Sequence, residues 1–220
     1  THYIGGGSVG TKRVYWFREG NDSMRAVLGG KGAGLAEMTR IGLPVPPGFT
    51  ITAQSCIDYY KEGRKLPQGL WEDVEAHVKG LEQETGKSFG GSKNPLLVSV
   101  RSGAAISMPG MMDTILNLGL NDQSVQGLIE ATGNERFALD CHRRFMQMFG
   151  DVVLEVDHDS FDHVLVSQRE AEKVKYDYEI SPEGLKKIIV GYRKVVREKA
   201  GIEFPENPMD QLRLAIEAVF

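Results

Sequence analysis

Three stretches of the chain carry groups able to hold phosphate. The first is Leu28-Gly29-Gly30-Lys31-Gly32-Ala33-Gly34. Glycines let a ligand approach backbone N–H groups closely, and a helix that follows would turn its positive end toward an anion. Lys31 adds a point charge. No Lys-Ser/Thr pair follows, so this is not a Walker A loop, and the alternation of Gly30, Gly32 and Gly34 misses the dinucleotide fingerprint. A tight strand-to-helix turn with an exposed lysine would use the same residues. The second stretch is Val98 to Gly103, in which Arg101 closes an apolar β-favouring run. A guanidinium stays charged, and burying it unpaired costs several kcal/mol. Arg101 therefore meets either an internal carboxylate or an anionic ligand, and small Ser102 and Gly103 open space beside it. In α/β sheets, ligands bind beyond the carboxyl ends of strands. The third stretch is Ser107-Met108-Pro109-Gly110-Met111-Met112-Asp113-Thr114. Ser107 and Thr114 offer hydroxyls, Gly110 permits unusual backbone angles, and Met108 and Met111 are adaptable enough to pack on an aromatic base. A hydrophobic loop tucked under its own domain would read the same way. No stretch decides the matter alone.

Other reactive residues point elsewhere. His158 and His163 lie among acids, but two histidines five apart do not share a helix face, so a helix cap at Asp159 or Ser160 is the better account. His142 is expected on a solvated face opposite Cys141, and His77 on a surface helix. Lys186, Lys187, Arg193, Lys194 and Arg197 alternate with apolar residues and read as a solvated helix face, not a nucleic-acid patch.

These stretches need elements to position them. The 220 residues suffice to bury a real core, and a net charge of -4 argues against a nucleic-acid surface. No apolar run reaches membrane-span length, and nothing at the start reads as a signal peptide. Cys56 and Cys141 read as reduced core residues of a cytoplasmic protein. Residues 1–11 read as a tail or linker around Gly5-Gly6-Gly7-Ser8. Strands are expected at 13–17, 49–52 and 96–101, with helices at 35–41, 53–62 and 68–85. This alternation argues a mixed α/β or α+β region over 12–120. A helical subdomain over 121–200 follows, with helices near 123–132, 134–150, 160–175 and 181–199. Ser181-Pro182-Glu183 is a strong start signal. Residues 201–220 begin a further part, whose helix at 208–220 has no stop signal, so a longer chain is expected.

Taken together the motifs do more. "GNDSMRAVLGGKGAGLAEMTRIGLPVPPGFTITAQSC" and "PLLVSVRSGAAISMPGMMDTILNLGLND" strongly resemble the amino-terminal nucleotide-binding domain of the pyruvate, phosphate dikinases. "RFALDCHRRFMQMFGDVVLEV" and "EFPENPMDQLRLAIEAVF" extend the resemblance to residues 12–220. Phosphoenolpyruvate synthases share the Gly-Gly-Lys-Gly and Arg-Ser motifs but differ at Met-Pro-Gly-Met-Met-Asp-Thr, which favours the dikinases. The resemblance implies an incomplete ATP-grasp-like fold with a helical insertion. It implies that Lys31 and Arg101 are catalytic groups handling ATP phosphates. Gly30, Gly32, Ser102, Ser107, Met108, Gly110, Met111 and Thr114 would complete the ATP-binding set. Mg2+ would accompany ATP, its ligands falling beyond residue 220. The implied partners are ATP, phosphate, a phosphohistidine domain and a pyruvate-binding barrel of a homo-oligomeric, cytoplasmic parent, with no nucleic acid and no membrane. The front part alone is not expected to complete the reaction. A phosphoenolpyruvate synthase-like enzyme and a non-catalytic interaction module are the rivals.

Overall fold

A computed structural model describes residues 11–103 and 114–220. The chain is mixed helix and sheet, mostly helical, and divides into two compact units. The first runs to His77 and takes in Gly103; the second holds Val78–Ser102 and the chain from Thr114 onward.

In the first unit β1 (Val14–Trp16) pairs antiparallel with β2 (Phe49–Ile51), Val14 opposite Ile51 and Trp16 opposite Phe49. Between them runs α1 (Arg25–Arg40), and after them α2 (Ala53–Lys61), which Thr52 caps by accepting from the Ser55 N–H. Arg13 and Asp58 form a half-buried ion pair of 2.7 Å between the start of β1 and α2. One core cluster gathers Leu28, Ala33 and Ala36 with Tyr15 and Met24 against them, and Val14, Tyr59, Leu70 and Val74 are buried in the same unit. The helix α3 (Leu70–Thr85) begins in this unit. His77 on α3 is more than a surface residue: its ring lies 4.6 Å from that of Trp16 and 5.1 Å from that of Phe49.

The helix expected at 35–41 begins much earlier, at Arg25. Each glycine costs a helix roughly 1 kcal/mol against alanine, so the glycine-rich stretch argues for a turn. Packing overrides propensity there. Ala33 and Ala36 are fully buried, and a Cβ on Gly32 would lie 2.7 Å from Thr50 Cγ2, so glycine lets α1 approach β2 closely.

In the second unit β3 (Ser88–Phe89) pairs parallel with β4 (Pro95–Leu96), and β5 (Val98–Arg101) pairs antiparallel with β6 (Thr114–Leu118). The single buried strand expected over 96–101 is thus two short strands. β5 is half-buried, with Val98 and Val100 turned in and Ser99 and Arg101 out, as a ribbon with one covered face requires. β6 was not expected from the sequence.

The helices are α4 (Asp122–Thr132), α5 (Glu135–Val152), α6 (His158–Glu172), α7 (Pro182–Ala200) and α8 (Pro208–Val219), close to the expected spans. Ser181 caps α7 as its start signal predicts, accepting from the Gly184 N–H, with Pro182 in the first turn. The cap of α6 is Asp157, accepting from the Ser160 N–H at 2.9 Å, and not Asp159 or Ser160. Phe145 and Phe149 on α5 pack with Phe204, and Phe161 on α6 meets Tyr192 on α7 edge to face. Residue 120, the expected end of the α/β part, lies inside this unit, where α5 and α8 pack on β6.

His142 departs from expectation. It is 1% exposed, while Cys141 is half-buried, because α4 and α7 cover the face of α5 that carries the imidazole. Among the described residues neither cysteine is in a disulfide; both are half-buried rather than core residues, and burial pushes both thiols up. The basic residues of α7 are largely neutralised in place: Lys186 by Glu135, Arg193 by Asp122 and Glu206, Arg197 by Glu203. Among the described residues no helix is long and apolar enough to cross a membrane.

Candidate functional site

The glycine-lysine stretch is a helix start hidden inside a helix. Gly29 breaks α1 with φ 71° and ψ 172°, angles that L-residues with a Cβ resist. The helix resumes at once, so Gly30, Lys31 and Gly32 form the first turn of the resumed run. A first turn leaves backbone N–H groups without intrahelical partners and carries the positive end of the dipole. Gly30 and Lys31 are half-buried, and Gly32 is buried against Thr50. Two of these glycines therefore have structural reasons of their own. Gly32 serves packing, and a Cβ on Gly29 would collide with the carbonyl oxygen of Gly103.

Arg101 ends β5 on its exposed side. Among the described residues no acid pairs with it. Nor is it buried, so the desolvation argument made from the sequence does not apply. The β5–β6 register puts Thr114 directly opposite Arg101, on the same face of the ribbon. Thirteen positions apart in the chain, these two residues are brought together by a strand the sequence did not disclose. A β-branched Thr114-Ile115 pair entering Leu-Asn-Leu was its only signal. Ser102, half-buried, follows Arg101 directly. Ser107, Met108, Gly110 and Met111 lie outside the described residues.

Two groups thus stand within their own units: Gly30, Lys31 and Gly32 in the first, Arg101, Ser102 and Thr114 in the second. Both offer cations, hydroxyls or N–H donors, the chemistry that binds phosphate oxygens. Among the described residues no three of His, Cys, Asp and Glu gather as metal ligands would. His158 sits 3.2 Å from Asp151, an exposed pair at the start of α6.

Sequence comparison places the chain in a family. The family described as pyruvate phosphate dikinase, AMP/ATP-binding domain, matches residues 25–72 and 64–220, and the chain belongs to that family. Among its relatives are pyruvate, phosphate dikinase of Giardia intestinalis, 53% identical over 96% of this chain, and pyruvate, phosphate dikinase 1, chloroplastic, of Arabidopsis thaliana, 52% identical over 97%. Pyruvate, phosphate dikinase of Clostridium symbiosum is 49% identical over 95% of the chain. The chain spans about a quarter of the length of these relatives: 25%, 22% and 24%.

Proposed function

We propose that this chain is the front part of the ATP-binding domain of a pyruvate, phosphate dikinase, a transferase. The parent would convert ATP, phosphate and pyruvate to AMP, pyrophosphate and phosphoenolpyruvate, through a phosphohistidine on another domain. The observation that carries the reading is the family match across residues 25–220, with about half the residues identical to named dikinases. The fold is read as the first part of an ATP-grasp domain with a helical insertion. In it Lys31 and Arg101 neutralise phosphate charge as it develops during transfer, a task of positioning and electrostatics. Gly30 and Gly32 let the backbone approach, and Ser102 and Thr114 supply hydroxyls beside Arg101. Support comes from the resumed helix start at Gly30 and from the exposed guanidinium with no acid beside it among the described residues. Magnesium would be held with ATP by residues outside this chain and would screen phosphate charge there. The parent is read as homo-oligomeric. Its compartment is read as the cytoplasm, although one of the relatives named above is chloroplastic.

The test uses the full-length protein. Lys31→Ala and Arg101→Ala should each weaken ATP binding roughly ten- to a hundred-fold, as loss of one charge-assisted contact implies. Isothermal titration with ATP, after circular dichroism has shown the fold intact, reads the effect. Unchanged affinity in both variants overturns the phosphate role. Release of orthophosphate instead of pyrophosphate by the full-length protein would favour the phosphoenolpyruvate synthase-like reading.

A further inference from the structure

Gln211, on α8, is 0% exposed and spends its whole amide on main chain from other segments. Its Oε1 accepts from the Gly119 N–H at 2.9 Å, and its Nε2 donates to the Leu120 carbonyl at 2.9 Å and the Pro205 carbonyl at 2.8 Å. Gly119 and Leu120 form the corner by which the chain leaves β6. That corner turns at Gly119, whose φ is 104°, just after Asn117 inside β6 takes a left-handed φ of 61°. It is held from the other side too, where Ser124 Oγ donates to the Gly119 carbonyl at 2.7 Å and accepts from the Asn121 N–H at 2.9 Å.

Such complete satisfaction of a buried corner has a consequence upstream. β5 and β6 form a two-stranded ribbon, which is marginal in isolation, and its pairing already shifts between Val98 and Val100. A slip of one residue would turn Thr114 to the opposite face from Arg101. At the other end of the ribbon, before that shift, Leu118 stands opposite Val98 and runs straight into the Gln211-bound corner. The helix that bears Gln211 packs on both strands. We infer that Gln211 is a positioning residue: by holding Gly119 and Leu120 it fixes the register of β6, and with it the juxtaposition of Thr114 and Arg101. This rests on the reading of Arg101 as a phosphate-binding group.

The experiment is steady-state kinetics on the full-length protein. Gln211→Met keeps the side-chain volume and removes all three bonds. It should lower kcat/KM for ATP about ten-fold and leave the KM for pyruvate unchanged. In an Arg101→Ala background the same substitution should cost less than about two-fold, because the group it positions is gone. Ser124→Ala, which loosens the same corner by one hydroxyl, should behave likewise and decides the matter if Gln211→Met does not fold. Amide exchange of the unsubstituted protein gives a readout that needs no variant: Gly119 and the β6 amides should open together. Equal losses in both backgrounds, or β6 amides that exchange far faster than Gly119, overturn the positioning role. If instead Arg101→Ala itself leaves kcat/KM for ATP unchanged, it is the phosphate reading of Arg101 that fails.

Discussion

His142 shows what one buried side chain can impose on the second unit. Among the described residues its buried Nε2 has no hydrogen-bond partner. Burial first, and the positive charge of Arg193 second, hold the imidazole down at about 4 from its ordinary 6.5, with Asp122 offsetting part of the effect. The native state therefore keeps His142 neutral where the unfolded chain would take up a proton. A base with a depressed folded pKa contributes full stability above its unfolded value. That contribution is lost as pH falls from about 6.5 toward 4. Between pH 7 and pH 5 the loss should be about 2 kcal/mol. Urea unfolding at the two pH values measures it, and His142→Phe should remove most of the difference. Equal acid sensitivity in both proteins would assign it to other groups. The sequence concealed this residue because Cys141 and His142 are adjacent, and helical periodicity ranks a cysteine as the more apolar of the two. The burial of α5 on more than one face, by α4 and α7, is a tertiary fact that its own pattern does not carry.

Among the elements, α1 was the hardest to read and is the most informative to alter. Four glycines between positions 29 and 34 argue against helix on propensity, yet they have different structural reasons. Gly34 has nothing within 4 Å of the place a Cβ would take, and its φ is not left-handed. Gly34→Ala should therefore stabilise by about 0.5–1 kcal/mol, the helix propensity difference. Gly32→Ala should instead destabilise by about 1–3 kcal/mol, since its Cβ must displace Thr50 on β2. Thermal melts of the two variants shifting the same way would contradict this assignment. The helices after residue 121 were legible because their signals are local. Asn134 before Glu135 and Ser181 before Pro182 announce helix starts, and the apolar residues Phe145 and Phe149 repeat at helical spacing. The Arg101–Thr114 ribbon was not legible, because its pairing joins strands of four and five residues across an intervening stretch. The types of the candidate phosphate groups could be read from the sequence, but the facing of Thr114 on Arg101 could not.

At the scale of the whole molecule, the two units differ in what holds each together. The first buries Val14, Leu28, Tyr59, Leu70 and Val74, together with Ala33 and Ala36, two alanines that bury little area. The second buries Phe145, Phe149, Phe161, Ile188 and Tyr192 completely or nearly so, and α5 and α7 share its longest helix interface. Burial of large side chains is worth about 1.5–3 kcal/mol each, whereas an alanine methyl contributes about 0.8. Local stability should follow the same order. In hydrogen exchange on the full-length protein, the amides of α5 and α7 should be the slowest. Those of β1, β2 and the resumed run of α1 should exchange at least about ten-fold faster. If the proposed phosphate role of Lys31 holds, saturating ATP should slow the amides at Gly30–Gly32 most, because a ligand that binds only the native state protects what it contacts. ATP that slowed α5 and left Gly30–Gly32 unchanged would place the nucleotide elsewhere on the chain, and with it the chemistry assigned to the glycine-lysine turn.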